Sequence, residues 1–292
     1  MPPEYVVIGH ITKDLTPEGY TIGGTATYAA LTARNLGLSV GIVTSFDPGF
    51  DPNSILEDIS ITRIPASETT TFQNLYHNGR REQFIHGVAA SIDPAAVPVT
   101  WRRSPIIHLG PLVREIPSEI LSIFDSHSLI GVTPQGWMRQ WDESGRVAPR
   151  HWHEADGVLR RADALVFSVE DVARMRSEID RLAELAQIMV VTRGPAGATL
   201  FLAGDRCGRS SDRVTHHPAF EATEMDPTGA GDVFAAAFLI RLHETDDPHE
   251  ATRFANAVAS LSIEGPGVQG IPTRAQVEHR LHHGRIRKIR YE

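Results

Sequence analysis

The residues with the clearest chemical meaning form a short run near the end of the chain, residues 224–234, which leads into an apolar stretch. The run contains Gly229, Ala230 and Gly231, followed directly by Asp232. Small residues that open a helix leave backbone N–H groups uncovered at its positive end, and such a site binds anions, phosphates especially. Asp232 would lie in the first helical turn, where a carboxylate either stabilises the helix or acts as a base beside the bound anion.

The composition excludes several other kinds of site. Lys13 and Lys288 are the only lysines, and neither follows a glycine-rich loop, so the chain has no P-loop of the GxxxxGK[ST] type. A net charge of −8 argues against nucleic-acid and membrane-surface partners, and no apolar run approaches the roughly 20 residues of a bilayer span. Because Cys207 is the only cysteine and the start of the chain has no signal-peptide pattern, we expect a cytoplasmic enzyme.

Alternating strands and helices must position the run that carries the chemistry. Apolar stretches predict strands at residues 5–11, 40–44, 106–109, 129–133, 164–167 and 188–192. Helical spacing predicts helices at residues 25–36, 117–125, 178–185, 229–243, 249–263 and 273–281. This alternation predicts one α/β domain over residues 1–292, with a mainly parallel central sheet and helices on both faces.

The segment between the second and the third predicted strand has a different residue pattern. Residues 69–77 and 80–86 are rich in β-forming residues and flank Asn78-Gly79, a strong signal for a hairpin turn. Polar and apolar residues mix on both arms, which favours a projecting hairpin over a core strand. We therefore predict a small β-hairpin lid, inserted at about residues 61–90. The stretch 140–150 is predicted to be a surface loop.

Two segments resemble the signatures of one enzyme family. Residues 226–232, Asp-Pro-Thr-Gly-Ala-Gly-Asp, resemble the D-T-x-G-A-G-D signature of the ribokinase-like (PfkB-type) carbohydrate kinases. Gly23-Gly24 before a small-residue helix is similar to the N-terminal signature of that family, and the resemblance spans residues 6 to about 281. It implies a ribokinase-like fold and the ATP- and Mg²⁺-dependent phosphorylation of a hydroxyl on a small sugar or polyol.

The resemblance also implies roles for individual residues. It implies that Asp232 is the catalytic base, that Gly229, Ala230 and Gly231 form the anion hole, and that Asp226 organises a monovalent-cation site. Acceptor-binding residues on the same basis are Asp14, Gly23 and Gly24. Nucleotide-binding residues on the same basis are Thr192, Gly194, Gly197, Thr228, Asn256 and Ser260.

The metal-binding motif departs from the family pattern. The usual N-x-x-E stands here as Ser168-Val169-Glu170-Asp171, so either Glu170 or Asp171 would position Mg²⁺. Ser168 followed by acidic residues is also a favourable helix N-cap by itself. Both interpretations are open from the sequence.

Two further departures from the ribokinase pattern bear on the identity of the acceptor. Tyr28 stands where ribokinases often carry an asparagine that contacts the sugar, which argues for a different acceptor. Residues 133–139, Thr-Pro-Gln-Gly-Trp-Met-Arg, resemble a D-x-Q-G-[FW]-x-R run of the inositol-kinase branch, with Gln135 and Arg139 on the acceptor side. A cyclitol such as myo-inositol is the leading acceptor. The alternatives are another sugar, a nucleoside, or a catalytically silent ligand-binding relative; lid-mediated homodimers, known among relatives, are a further option.

Overall fold

The computed structural model describes residues 1–77, 80–173, 175, 177–204 and 213–287. Its helices are α1 (Thr25–Asn35), α2 (Ala155–Leu159), α3 (Ser177–Leu185), α4 (Ala230–Thr245), α5 (Pro248–Ser262) and α6 (Arg274–His283). Its strands are β1 (Tyr5–Ile8), β2 (Thr12–Thr16), β3 (Gly19–Gly23), β4 (Val40–Phe46), β5 (Ser60–Pro65), β6 (Thr71–His77), β7 (Arg80–Gly87), β8 (Ile106–Leu109), β9 (Leu129–Val132), β10 (Arg139–Trp141), β11 (Val147–Pro149), β12 (Ala164–Ser168), β13 (Ile188–Thr192), β14 (Ala198–Leu202) and β15 (Val214–His217).

A large, mainly parallel sheet forms the centre of the protein. The strand order is β15-β14-β13-β12-β9-β8-β1-β4-β5, and the pairs from β5 to β13 are parallel. Only β14 and β15, at one edge, pair antiparallel. The predicted fold class is confirmed: an α/β sheet covered by helices, with a separate small sheet.

Each face of this sheet carries its own apolar core, because successive strand residues point to opposite faces. On β1, Tyr5 and Val7 face a core that contains α1, α4 and α5. Val6 and Ile8 face a second core that contains α2 and part of α3. The helix α4 is apolar nearly all round and its residues 233–240 are all buried, which accounts for its uninterrupted hydrophobic sequence.

The topology of the sheet creates a crevice beside the end of β1. The next strand of the main sheet in chain order, β4, pairs on one side of β1, and the later strand β8 pairs on its other side. In parallel α/β sheets, ligands bind outside the carboxyl ends of the strands at such a switch in strand order. The starts of α1 and α4 meet at this end of the sheet, where a side-chain hydrogen bond joins their first turns.

The small sheet is larger than the predicted hairpin. Its order is β3-β2-β6-β7, with antiparallel pairing inside each hairpin and parallel pairing of β2 with β6. The predicted arms are present as β6 and β7, whereas the predicted turn at Asn78 and Gly79 lies outside the described residues. The strands β2 and β3 were not predicted, since their sequence lacks an apolar alternation. Within residues 61–90, β5 pairs with β4 in the main sheet. The extent of the lid as an inserted unit stays a prediction.

The loop prediction for residues 140–150 is wrong. The structure forms the hairpin β10–β11 there, with Gln140 opposite Ala148. The carboxylate of Asp142 accepts hydrogen bonds from the amides of Ser144 and Arg146, and Gly145 adopts a φ of 80°, so turn chemistry closes the hairpin. The predicted helix at residues 117–125 is instead a 3₁₀-helix, Ser118–Ile123.

Candidate active site

The start of α4 has the geometry of an anion-binding helix terminus. Gly229 is the N-cap with a φ of 75°, a left-handed conformation that favours glycine. A Cβ added at Gly231 would meet no atom within 4 Å, so the space beside this residue of the first turn is open. No acceptor within the described part of the chain is recorded for the amides of Gly231 and Asp232. These N–H groups are therefore available to a ligand.

Asp232 lies in this first turn and is only partly exposed. Its Oδ1 accepts a hydrogen bond from the hydroxyl of Thr25, with an O–O distance of 2.7 Å. Burial raises the pKa of Asp232 to about 6, and the bond from Thr25 opposes this rise. Asp171 and Asp14 raise the same pKa further, whereas Arg139 lowers it. Asp232 is thus a carboxylate whose pKa is close to the range that suits a general base at neutral pH.

The predicted acceptor residues near the start of α1 are in mutual contact. Asp14 accepts a hydrogen bond from the Thr12 hydroxyl at 3.1 Å, and a Cβ on Gly23 would lie only 2.1 Å from Oδ2 of Asp14. Gly24 caps α1 with a φ of 89°, and a Cβ there would lie 2.6 Å from the carbonyl oxygen of His10. The two glycines are required because the chain passes so close to Asp14 and His10.

The predicted metal residues form the N-cap that the sequence suggested, whereas their contact with Mg²⁺ stays a prediction. Oδ2 of Asp171 accepts from the amide of Ser168 and the Ser168 hydroxyl accepts from the amide of Glu170, which completes a capping box. Oδ1 of Asp171 accepts from Nε2 of Gln135 at 3.2 Å. Because Asp171 acts on the pKa of Asp232 and Glu170 is exposed, Asp171 is the carboxylate nearer to the site.

Asp226 connects two loops that border α4. Its Oδ1 accepts from the amide of Thr228 at 2.9 Å, and its Oδ2 accepts from the amide of Gly267 at 2.8 Å. Although burial acts to raise the pKa of Asp226, these hydrogen bonds hold it below its usual value. The negative charge of Asp226 is therefore maintained at neutral pH.

The predicted nucleotide residues lie on β13, on the turn after it, and on α5. Thr192 ends β13, and a Cβ on Gly197 would lie 2.1 Å from the carbonyl oxygen of His217. On α5, Nδ2 of Asn256 donates to the carbonyls of His217 and Pro218. The hydroxyl of Ser260, also on α5, donates to the carbonyl of Ala257. Both α5 side chains are buried and already have partners in the chain, so their contact with a nucleotide stays a prediction.

Comparison with known proteins finds a family match in the C-terminal half of the chain. Residues 153–274 match the sequence profile described as pfkB family carbohydrate kinase. Over these residues the chain resembles this family. Accordingly, it is a kinase that transfers a phosphoryl group to a hydroxyl.

Individual relatives of this kinase differ in their acceptors. It is 51% identical to the ribokinase of Bacillus subtilis (strain 168) over 65 residues, 22% of each chain. It is 25% identical to the cytidine kinase of Thermococcus kodakarensis over 252 residues, 81% of this chain and 87% of the relative. A solved pyrophosphate-dependent kinase in the ribokinase family, complexed with a pyrophosphate analog and myo-inositol, matches the fold with a TM-score of 0.75 at 20% identity. That match covers 94% of this chain and 99% of the other chain.

No protein-only metal centre is evident in the part of the chain that the structure describes, since no three His, Cys, Asp or Glu side chains group there to hold an ion. Mg²⁺ at kinase sites is held by one or two carboxylates, waters and substrate phosphates, so Asp171 beside the open first turn of α4 fits such an ion. Across the described ranges, no helix is both long and apolar enough to cross a membrane.

Sequence reasoning missed the residues that hold the site together. Thr25 follows the predicted Gly23-Gly24 pair, so its position at the first turn of a helix was a usable signal. Glu115 is 2% exposed and accepts hydrogen bonds from the amides of His10, Leu112 and Val113. Nothing in the sequence around Glu115 signals its bond to His10, because His10 lies 105 residues away.

Proposed function

We propose that this kinase transfers the γ-phosphoryl group of ATP to a hydroxyl of a small sugar or polyol, with a cyclitol such as myo-inositol as the preferred acceptor. The observation that carries the proposal is the carboxylate of Asp232, held in the first turn of α4 beside free amides and an open space. Tyr28 in place of an asparagine argues against ribose, and the likeness to a kinase complexed with myo-inositol supports a cyclitol. We expect the enzyme to act in the cytoplasm.

In the proposed reaction, the acceptor oxygen attacks the γ-phosphorus and the bond to the β,γ-bridging oxygen breaks, so that ADP leaves. The proton of the acceptor hydroxyl passes to Asp232. An alcohol is too weakly acidic to be deprotonated beforehand by a carboxylate, so this proton transfer accompanies phosphoryl transfer. With a pKa of about 6, Asp232 is mostly ionised above pH 7 and able to accept the proton.

The anion hole performs the electrostatic part of the reaction. The run Gly229, Ala230 and Gly231, at the positive end of α4, would border the transferring phosphoryl group. The amides of Gly231 and Asp232 would stabilise its developing charge, whereas the amide of Ala230 already donates to the carbonyl of Pro227. Asp171, with Glu170 as the alternative, would hold Mg²⁺, which supplies charge neutralisation on the phosphates when it is bound. Asp226 would organise a monovalent cation next to the same loop.

The remaining predicted residues divide between acceptor and donor. Asp14, Gly23 and Gly24, near the start of α1, would bind the acceptor together with Gln135 and Arg139. Thr192, Gly194, Gly197, Thr228, Asn256 and Ser260 would border the nucleotide. Substrates with several ring hydroxyls need several such donors and acceptors, and a polar site of this kind rejects analogues that leave its groups unpaired.

The test of the proposal is a product assay over a panel of acceptors and donors. ADP release would be measured with cyclitols, pentoses, hexoses and nucleosides, and phosphate release with pyrophosphate in place of ATP. The highest kcat/KM with ATP and myo-inositol is expected. A cytidine kinase among the relatives makes a nucleoside the second candidate. Tight acceptor binding with no transfer from either donor would instead identify a catalytically silent relative.

The role of Asp232 is tested separately by Asp232→Asn. We expect kcat to fall by roughly 10²- to 10⁴-fold, because the base is lost, while nucleotide binding is retained. The control is Asp180→Asn, on the exposed face of α3, which should leave kcat unchanged. Near-normal turnover of Asp232→Asn would refute the assignment of this residue as the base.

A further inference from the structure

One hydrogen bond joins the first turn of α1 to the first turn of α4. Thr25 is the first residue of α1, and its hydroxyl donates to Oδ1 of Asp232 at 2.7 Å, across 207 residues of sequence. Thr25 is only 1% exposed, so water does not compete for this bond. This hydrogen bond therefore connects the residue that follows Gly23-Gly24 with the carboxylate at the end of the run 226–232.

The direction of the Thr25 hydroxyl is fixed by its surroundings. A Cβ added at Gly110 would lie 2.4 Å from the methyl carbon of Thr25, which shows that this methyl rests against the backbone of Gly110. A β-branched side chain has few χ1 choices in a helix, and the packed methyl removes the alternatives. The hydroxyl can then only point toward Asp232.

The hydrogen bond from Thr25 gives the two carboxylate oxygens of Asp232 different roles. Within the residues that the structure describes, the hydroxyl of Thr25 is the only hydrogen-bond donor recorded for this carboxylate. Oδ1 is occupied, and Oδ2 remains for the acceptor hydroxyl. A general base must present one oxygen within hydrogen-bond reach of the proton that it takes, so the orientation of the carboxylate matters for the rate.

We propose that Thr25 is a positioning residue that holds Oδ1 of Asp232 and so aims Oδ2 at the acceptor. This inference rests on the proposed function, in which Asp232 is the base. A hydroxyl donor also favours the ionised carboxylate over its protonated form, so Thr25 keeps the base available at lower pH.

Several ionisable groups face Asp232, and the variants compared in a pH test must leave all of these residues unchanged. They are Asp14 on β2, Arg139 on β10, Asp171 after β12, Tyr5 on β1 and Tyr28 on α1. Burial raises the pKa of Asp232, and the Thr25 bond counteracts it, so loss of the bond should raise this pKa further. Because activity needs the ionised base, the variant would then lose activity at a higher pH than the wild type when the solution is acidified.

The experiment compares Thr25→Val with Thr25→Ser. Thr25→Val keeps the shape and removes the hydroxyl; we expect kcat/KM to fall about 10- to 100-fold, as for a lost bond to a charged group. The acid limb of the pH–rate profile of Thr25→Val should shift to higher pH by about 1 unit. Thr25→Ser should restore both the rate and the wild-type acid limb. The matched control is Thr32→Val, which removes another buried hydroxyl of α1, bonded to the carbonyl of Tyr28, and should change neither quantity.

The outcomes separate this inference from the proposed function. A wild-type acid limb and rate in Thr25→Val would overturn the positioning role, as would equal impairment of Thr25→Ser with a normal unfolding midpoint. If Asp232→Asn is inactive in the same assay, the proposed function survives that result. If Asp232→Asn is active, the proposed function itself fails.

Discussion

Gly229 satisfies two constraints at the entrance to the proposed anion hole. Its backbone has a φ of 75°, and the ring of Tyr28 packs directly on its Cα, since an added Cβ would lie 2.3 Å from the ring. Burial first, and then the nearby Asp14, Asp232 and Asp226, raise the pKa of Tyr28, so its phenol stays neutral. The glycine is needed for both its conformation and the space that it leaves.

This double constraint predicts a difference between two glycine substitutions. Gly37→Ala introduces a side chain at a φ of 96° with nothing within 4 Å, so it should cost only backbone strain, about 1 kcal/mol. Gly229→Ala adds a clash with Tyr28, and should cost about 2–4 kcal/mol of unfolding free energy and lower kcat as well. Denaturant unfolding and ADP release would measure both. Equal effects of the two variants would contradict the role of Tyr28.

Among the elements, the loops after β1 and β8 depend on one buried carboxylate. Glu115 accepts from the amide of His10 after β1, and from the amides of Leu112 and Val113 after β8. Backbone donors that are buried need partners, and no secondary structure supplies them here. Glu115 therefore fixes the crevice at the carboxyl ends of the central strands.

We predict that Glu115→Ala destabilises the protein by about 2–4 kcal/mol, because buried amides would lose their acceptor. The matched control is Glu119→Ala, four residues later on the exposed surface, which should change stability by less than about 0.5 kcal/mol. Urea unfolding monitored by circular dichroism would compare the two variants. If both variants unfold at the wild-type midpoint, Glu115 does not hold these loops.

Prediction of the elements from the sequence succeeded where the residues are continuously apolar. The strands β8 and β13 have the predicted bounds, and α4 begins one residue after the predicted start. The strands β2 and β3 were missed, because a half-exposed strand that includes Lys13 and Asp14 has no periodic signal of its own. The strand β2 is stabilised by pairing with β6, a partner more than fifty residues away, and β3 pairs with β2.

At the scale of the whole molecule, one small apolar cluster and several polar contacts, among them the ion pair of Lys13 with Asp47, join the small sheet to the rest of the protein. A cluster of four buried side chains, Phe72, Ile85, Leu112 and Val113, lies between the small sheet and the loop after β8. The hydroxyl of Thr70 adds hydrogen bonds to His10 and to the amide of Ala89. A unit held by so small an apolar cluster can move relative to the main sheet at low cost.

We therefore predict that ligands close the small sheet over the crevice and exclude water, which would compete as a phosphoryl acceptor. Addition of acceptor and a non-hydrolysable ATP analogue should slow amide hydrogen exchange in β2 and β6, while β12 and β13, inside the main sheet, serve as the internal control. Unchanged exchange in β2 and β6 at saturating ligand would contradict the closure.

The sequence by itself determined the α/β fold class and the resemblance to the PfkB-type kinases, and it predicted an anion-binding run at residues 226–232, because each depends on residue types at short spacing. Only the tertiary structure decided that Thr25 holds Asp232, that Asp171 contacts Gln135, and that Glu115 binds the crevice loops. Some of these contacts join residues that are 36 to 207 positions apart in the sequence. The others satisfy backbone amides that the sheet does not pair at the ends of its strands. They follow from the strand order and helix packing, which no local pattern of residues encodes.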